Sequence, residues 1–225
     1  MTATPARLFA ATCLVVTALL SVVSMLLQPE FSADPAERLA AIDAAGTQAT
    51  VSLLPFALSQ LPFMIAAVAI ALLARTRAPR LAVAGGALTV VGGFGHAVFG
   101  GIGIAYLAMS SDAANREVLA EVVTAVESGP AVIFMAAGML GTVFGLLLLG
   151  IALFRSRVVA RWIPVALWAF IVTEFALTNF SEWASPAAGL LYVAAFTGIA
   201  VQLVRGESSA REPGEELVPT ASLGR

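Results

Sequence analysis

Six long apolar runs, separated by short polar segments, form the pattern of hydrophobic and polar positions along the chain. Their approximate bounds are residues 8–27, 51–74, 81–107, 131–154, 162–180 and 186–204. A helix needs about 20 apolar residues to cross the bilayer core, and each run has close to that length or more. None of the runs contains more than one or two ionisable side chains. The pattern predicts an all-α fold, a polytopic transmembrane bundle of six helices over residues 1–205.

The first run has an alternative interpretation as a signal peptide, because Arg7 precedes it. However, LFAATCLVVTALLSVVSMLL (8–27) is longer than a typical signal-peptide core, and no A-x-A cleavage site follows it. We therefore interpret it as a retained span. It contains Cys13, and because this is the chain's only cysteine, an intramolecular disulfide is excluded.

Arginine residues are concentrated in alternate links between the runs. The links RTRAPR (75–80) and RSRVVAR (155–161) each contain three arginines and no acid. Segments 28–50 and 111–129 each contain four acids and a single arginine. Since cytoplasmic flanks of membrane helices collect basic residues, this distribution predicts a cell-membrane protein with both termini in the cytoplasm.

Each of the two acidic segments has the pattern of a short helix. In SADPAERLAAIDAAG, Asp34 can cap the helix, Pro35 suits its first turn, Glu37 completes a capping box and Gly46 can end it. The second segment has a predicted apolar face of Val118, Leu119, Val122 and Val126. We expect two extracytoplasmic surface helices, which either lie along the membrane or cover the mouth of the bundle.

Composition agrees with a membrane protein and excludes other classes. Hydrophobic residues make up 60% of the chain and charged residues 12%, whereas soluble domains are about half apolar and a quarter charged. The net charge of −2 gives no indication of nucleic-acid binding. The polar tail, residues 206–225, is predicted to be disordered and cytoplasmic.

The stretch RSRVVARWIPVALW (155–168) resembles the cytoplasmic turn of an uncharacterised bacterial family of six-span integral membrane proteins. That family's turn has an RSR-type sequence before P-R-W, and Ala160 stands here where proline is usual. The resemblance implies a membrane location and a topology. It carries no catalytic residues, because the family has no assigned activity.

Two similar stretches, IALLARTRAPR (70–80) and IALFRSRVVAR (151–161), raise the question of an internal repeat. One interpretation is that the second and third spans are duplicated as the fourth and fifth, which would place residues about 80 positions apart at equivalent sites. The other is that any arginine-rich turn after an apolar helix has this appearance.

Five polar side chains within the runs fall at a similar depth. At 1.5 Å per residue, His96, Glu174 and Gln60 lie roughly 20–24 Å from the arginine links, and Tyr192 and Thr142 lie at a comparable level. Glu174 is the only acid inside a run, and a charge at that depth costs about 2.5–3.5 kcal/mol on insertion scales. It must be protonated, hydrated or paired, and His96 is the only intramembrane candidate for an ionic partner.

Small residues recur at every fourth position around the histidine. Such residues allow helices to approach closely in a membrane, so we expect a packing role for them. The predicted packing glycines are Gly85, Gly93 and Gly101 in the third span, and Gly141 and Gly145 in the fourth.

Two functional interpretations remain open. The first is a small transporter or permease-like protein with an intramembrane Glu174–His96 pair, and the second is a membrane scaffold or regulatory subunit whose buried polar groups only join helices. The chain has no HExxH, Walker A or G-x-S-x-G motif, so we expect neither an enzyme nor a cofactor or metal site. Its predicted environment is the lipid bilayer, and the sequence leaves homo-oligomers and protein partners open.

Overall fold

The computed structural model describes residues 4–29, 32–178, 180–181 and 183–205, and no strand occurs among them. The predicted disordered tail, 206–225, lies outside the described residues. The described residues form the helices α1 (Pro5–Leu27), α2 (Pro35–Ala45), α3 (Thr47–Ala74), α4 (Pro79–Ser110), α5 (Arg116–Ser128), α6 (Val132–Ser156), α7 (Trp162–Val172) and α8 (Ala184–Arg205). A 3-10 turn precedes α5, and a π-helical turn, Thr173–Leu177, continues α7. The predicted all-α fold is confirmed.

Five helices, α1, α3, α4, α6 and α8, are long and apolar enough to cross a membrane. The run 162–180, predicted as the fifth of six spans, instead forms the shorter apolar helix Trp162–Leu177. The chain therefore has the helix lengths and composition of a multi-pass membrane protein.

Six helices form a closed ring in chain order. α1 contacts α3, α3 contacts α4, α4 contacts α6, α6 contacts α7, α7 contacts α8, and α8 returns to α1. The side chains of Ile70, Leu149 and Phe196 point into this ring and are fully buried. On the outside, large apolar side chains such as Leu58 (64% exposed) and Ile133 (65%) are uncovered. An apolar outer surface of this extent is what a lipid environment favours.

The closest pair in the ring is α4 and α6, and glycines make their approach possible. A Cβ added at Gly85 would lie 2.8 Å from the backbone nitrogen of Leu149, and one at Gly141 would lie 2.7 Å from that of Gly92. A Cβ added at Gly145 would lie even closer to the backbone nitrogen and hydroxyl oxygen of Thr89. These three predicted packing glycines lie at this interface.

The other two predicted packing glycines face elsewhere. Gly93 points toward α3, where a Cβ would lie 2.6 Å from Met64. Gly101 has nothing within 4 Å of that position, so the expectation that it packs against a helix is wrong for this chain. The reason is geometric: an exact four-residue spacing advances about 40° per step around a helix with 3.6 residues per turn. From Gly85 to Gly101 the direction changes by roughly 160°.

Helices α2 and α5 pack on each other and on α4 at one end of the ring. As predicted, the Asp34 carboxylate caps α2 by accepting a hydrogen bond from the Glu37 N–H (2.9 Å), and Gly46, with φ +52°, ends it. Arg38 of α2 donates a hydrogen bond to Glu127 of α5 (2.6 Å). Arg116, the first residue of α5, donates one to Asp43 of α2 (2.9 Å), so both ion pairs join these helices.

The predicted apolar face of α5 is shifted in the structure. Val123 is buried beneath α2 with Leu39 and Ile42, whereas Val118 and Val122 are 62% and 42% exposed. The sequence pattern alone could not place this face, because apolar residues occupy more than half of the circumference of α5.

The two arginine-rich links meet at the opposite end of the ring. The Arg77 guanidinium donates a hydrogen bond to the Ser156 carbonyl oxygen (2.9 Å), which joins the link before α4 to the C-terminus of α6. Arg157 then ends α6 in the left-handed region, with φ +54°. The basic links and the acidic helices thus lie at opposite ends of the ring, as their charges predict.

Candidate functional site

A cavity of about 100 Å³ lies inside the ring, and every helix of the ring contributes to its lining. The lining residues are Ser21, Met25, Phe56, Gln60, Phe63, His96, Thr142, Leu146, Phe170, Glu174, Phe175 and Tyr192. This space is large enough for water, since one molecule needs only about 10–15 Å³ of accessible volume. We call it the central cavity.

All five polar residues singled out from the sequence line the central cavity. Gln60 is on α3, His96 on α4, Thr142 on α6, Glu174 on the π-helical turn after α7, and Tyr192 on α8. Gln60, Thr142 and Tyr192 are buried, each with an exposed fraction of 5% or less. The structure therefore brings together side chains that are up to 132 positions apart in the chain (192 − 60).

The imidazole of His96 packs against α6 at Gly138, which has no side chain. A Cβ on Gly138 would lie 2.6 Å from the His96 ring, so the glycine provides the space that the imidazole occupies. The Thr142 hydroxyl lies 3.5 Å from Nδ1, and the Phe56 ring is tilted toward the imidazole with 5.7 Å between centroids. The glycines around His96 thus serve helix packing, and the packing orients the histidine toward the cavity.

The Glu174 side chain is held differently, because one of its carboxylate oxygens is buried with no hydrogen-bond partner among the described residues. Its backbone carbonyl accepts a hydrogen bond from the Thr178 hydroxyl (2.7 Å), which supports the turn but leaves the carboxylate free. The residue lies in a π-helical turn, a local widening that often occurs at functional sites.

The sequence left open whether the proposed Glu174–His96 pair is in direct contact, and in the structure it is not. Among the described residues, no hydrogen bond or ion pair joins the two side chains. Helix α6 lies between α4 and α7 in the ring, so the two groups share a cavity without touching. Depth along each helix was readable from the sequence, whereas the order of helices around the ring was not.

Gln60 uses its amide within its own helix. Its Nε2 donates to the Phe56 carbonyl oxygen (2.9 Å) and lies 3.0 Å from the Ser59 hydroxyl. Pro55 and Pro62 lie inside α3 on either side of this segment, and each removes one backbone donor from the helix. The side chain is therefore fixed at a point where the helix itself is weakened.

Aromatic lining residues were missed by the sequence reasoning. Four phenylalanines, Phe56, Phe63, Phe170 and Phe175, line the central cavity with Tyr192. The available signal was helical spacing, since Phe56 and Phe63 lie four residues before and three after Gln60 and so share its face. In an otherwise apolar run this spacing does not distinguish a cavity wall from ordinary core.

A second cavity of about 190 Å³ lies between the central cavity and α2, and we call it the outer cavity. Its lining includes Ser24, Arg38, Phe99 and Tyr106, and Phe56 lines both cavities. The Nε of Arg38 is buried without a hydrogen-bond partner, although its two terminal nitrogens contact Glu127. The side chain of Phe56 therefore stands between a cavity under the acidic helices and the polar centre of the ring.

No protein-family model matches the chain, and no curated protein or solved structure is significantly similar to it.

Proposed function

We propose that the protein is a small transporter, permease-like in architecture, that passes a small polar or charged solute through the central cavity in exchange for protons. The observation that carries this proposal is the Glu174 carboxylate oxygen, which is buried without a partner beside a cavity large enough for water. In this proposal α7 and the residues after it complete a sixth span of a cell-membrane protein. Both termini are cytoplasmic.

A purely structural role accounts poorly for Glu174. Polar residues that join membrane helices do so through hydrogen bonds between them, each contributing about 0.6 kcal/mol. A carboxylate oxygen that is buried without such a bond instead costs free energy, and membrane proteins retain such groups mainly in ion and solute pathways. Gln60 and Thr142 contact other polar atoms, so the unpartnered oxygen distinguishes Glu174 from the rest of the lining.

The outer cavity supports a route from one end of the ring. It lies beneath α2, at the end opposite the arginine-rich links, and Phe56 is the wall it shares with the central cavity. Because basic flanks face the cytoplasm, this end is extracytoplasmic in the proposed orientation. A solute would pass the α2–α5 end, enter the outer cavity and reach Glu174 after movement of the Phe56 ring.

In the described part of the chain, three titratable side chains line the central cavity: Glu174, His96 and Tyr192. A carboxylate in this position either holds a proton or faces a bound solute. Exchange of the two at one group couples solute movement to proton movement in the opposite direction. In this proposal His96, which lines the same cavity, receives or supplies the proton through water.

Reconstitution into sealed vesicles containing a pH-sensitive dye tests this proposal. With an imposed proton gradient, we expect candidate solutes to dissipate the gradient in vesicles containing the native chain. The Glu174→Gln chain should lose this response. Glu121→Gln, which neutralises an exposed acid of α5, is the matched control and should retain it.

Equal responses from native, Glu174→Gln and empty vesicles across the tested solutes would contradict transport. That result would favour the scaffold or regulatory interpretation, in which the polar lining only holds helices together.

A further inference from the structure

We infer that the central cavity binds a small organic ammonium cation. The inference depends on the proposed function only for the idea that the bound cation is carried across the membrane, since binding itself can be measured without transport. It is argued from the charge, the aromatic lining and the size of the cavity.

The charge of the lining favours a cation. Among the residues that the structure describes, Glu174 is the only acidic one that lines the central cavity, and no arginine lines it. The unpartnered carboxylate oxygen provides a single anionic contact. A bound monocation would balance that charge, whereas a bound anion would meet no basic group other than the imidazole of His96.

The aromatic lining favours an organic cation over a metal ion. Phe56, Phe63, Phe170, Phe175 and Tyr192 belong to the lining of the space, and the ring centroids of Phe170 and Tyr192 are 4.6 Å apart. Aromatic faces attract ammonium groups, and several such faces around one site recognise alkylated ammonium ions. Among the described residues, no group of three His, Cys, Asp or Glu is placed to hold a metal ion.

The size of the cavity limits the ligand to a few heavy atoms. An apolar cavity of about 150 Å³ in another protein accommodates benzene, which has six carbons. The central cavity, at about 100 Å³, is smaller. Methylammonium, with two heavy atoms, is small enough for this space, and tetramethylammonium, which is about as bulky as benzene, tests its upper size limit.

Titration calorimetry of the purified full chain in detergent tests the inference directly. We expect tetramethylammonium or methylammonium to bind at constant ionic strength, while sodium chloride does not. The neutral molecule tert-butanol has the same number of heavy atoms as tetramethylammonium and controls for shape and apolar contact. It should bind at least roughly tenfold more weakly if charge contributes to recognition.

Two pairs of variants assign the binding to the cavity. Glu174→Gln should weaken tetramethylammonium binding roughly thirtyfold or more, since it removes the charged partner, whereas Glu121→Gln should not change it. Phe175→Leu keeps an apolar side chain but removes the ring, and should weaken binding roughly three- to thirtyfold. Phe144→Leu, on the exposed outer side of α6, is its control.

The two proposals fail in different ways. Ammonium binding that requires Glu174 but is accompanied by no flux would overturn transport and leave the binding inference standing. Proton-coupled flux of other solutes, with no ammonium binding to the folded native chain, would overturn the ligand class alone. Equal affinities for tetramethylammonium and tert-butanol, or full binding by folded Glu174→Gln, would also overturn it. The melting temperature of each variant establishes that it is folded.

Discussion

At the scale of single residues, the two most unusual side chains of the ring are accommodated in opposite ways. His96 occupies space left by Gly138 and has Phe56 and the Thr142 hydroxyl as neighbours. Glu174 has a buried carboxylate oxygen without any partner. Packing therefore explains the histidine in structural terms, whereas no described residue compensates for the buried oxygen of the carboxylate.

This difference predicts the outcome of a stability experiment on Glu174→Gln. Removing an unpartnered buried charge should leave the melting temperature in detergent unchanged or raise it, by an amount corresponding to about 1 kcal/mol. Because no bond joins the two residues, the effects of Glu174→Gln and His96→Ala should add within about 0.5 kcal/mol. A double variant whose stability departs from the sum of the two single effects by more than about 1 kcal/mol would show that the two residues are coupled, contrary to the structure.

The glycines provide a second residue-scale prediction. Gly145→Ala forces a Cβ against the backbone of Thr89 and should cost about 1–3 kcal/mol, as overpacking does elsewhere. Gly101→Ala meets nothing within 4 Å and should be neutral or stabilising by up to about 1 kcal/mol through helix propensity. Thermal unfolding in one detergent compares them, and equal losses would contradict the α4–α6 geometry.

At the scale of helices, the apolar runs and capping residues were sufficient to predict most elements. α2 begins after Asp34 and ends at Gly46, as expected. Capping residues can be identified locally, because they supply or terminate the backbone hydrogen bonds at the ends of a helix. The π-helical turn containing Glu174 was not predictable, since hydrophobic periodicity carries no signal for a single widened turn. The sequence predicted which side of a helix is buried less well than it predicted the helix itself, as Val118 and Gly101 show. The buried side depends on which neighbouring helix packs against it.

The α2–α5 pair should loosen selectively when its inner ion pair is removed. Arg38→Ala breaks a partly buried contact with Glu127, so amide hydrogen exchange in α2 and α5 should accelerate roughly tenfold. Asp43→Asn breaks the more exposed contact with Arg116 and should change exchange by less than about threefold. Exchange in α4 and α6 should stay constant in both variants. Similar acceleration throughout the ring would indicate that α2 and α5 are not a separate layer.

At the scale of the whole molecule, a ring of six helices encloses a polar centre, and an outer cavity lies between that centre and the acidic helices. The sequence predicted the common depth of five polar side chains, because distance along a helix follows from the number of residues. It did not provide the ring order, the aromatic lining or the outer cavity. Those features arise from contacts between helices distant in sequence.

The central claim, that the cavity is hydrated and reached from the α2–α5 end, is tested by cysteine labelling. Cys13 is the only native cysteine, so Cys13→Ser provides a background in which Thr142→Cys places one thiol of similar size in the cavity. Leu149→Cys, in the fully buried core, is the dry control. The reagent is a membrane-impermeant, positively charged methanethiosulfonate applied outside intact cells. We predict that Thr142→Cys reacts at least roughly tenfold faster than Leu149→Cys, and equal rates would contradict the account.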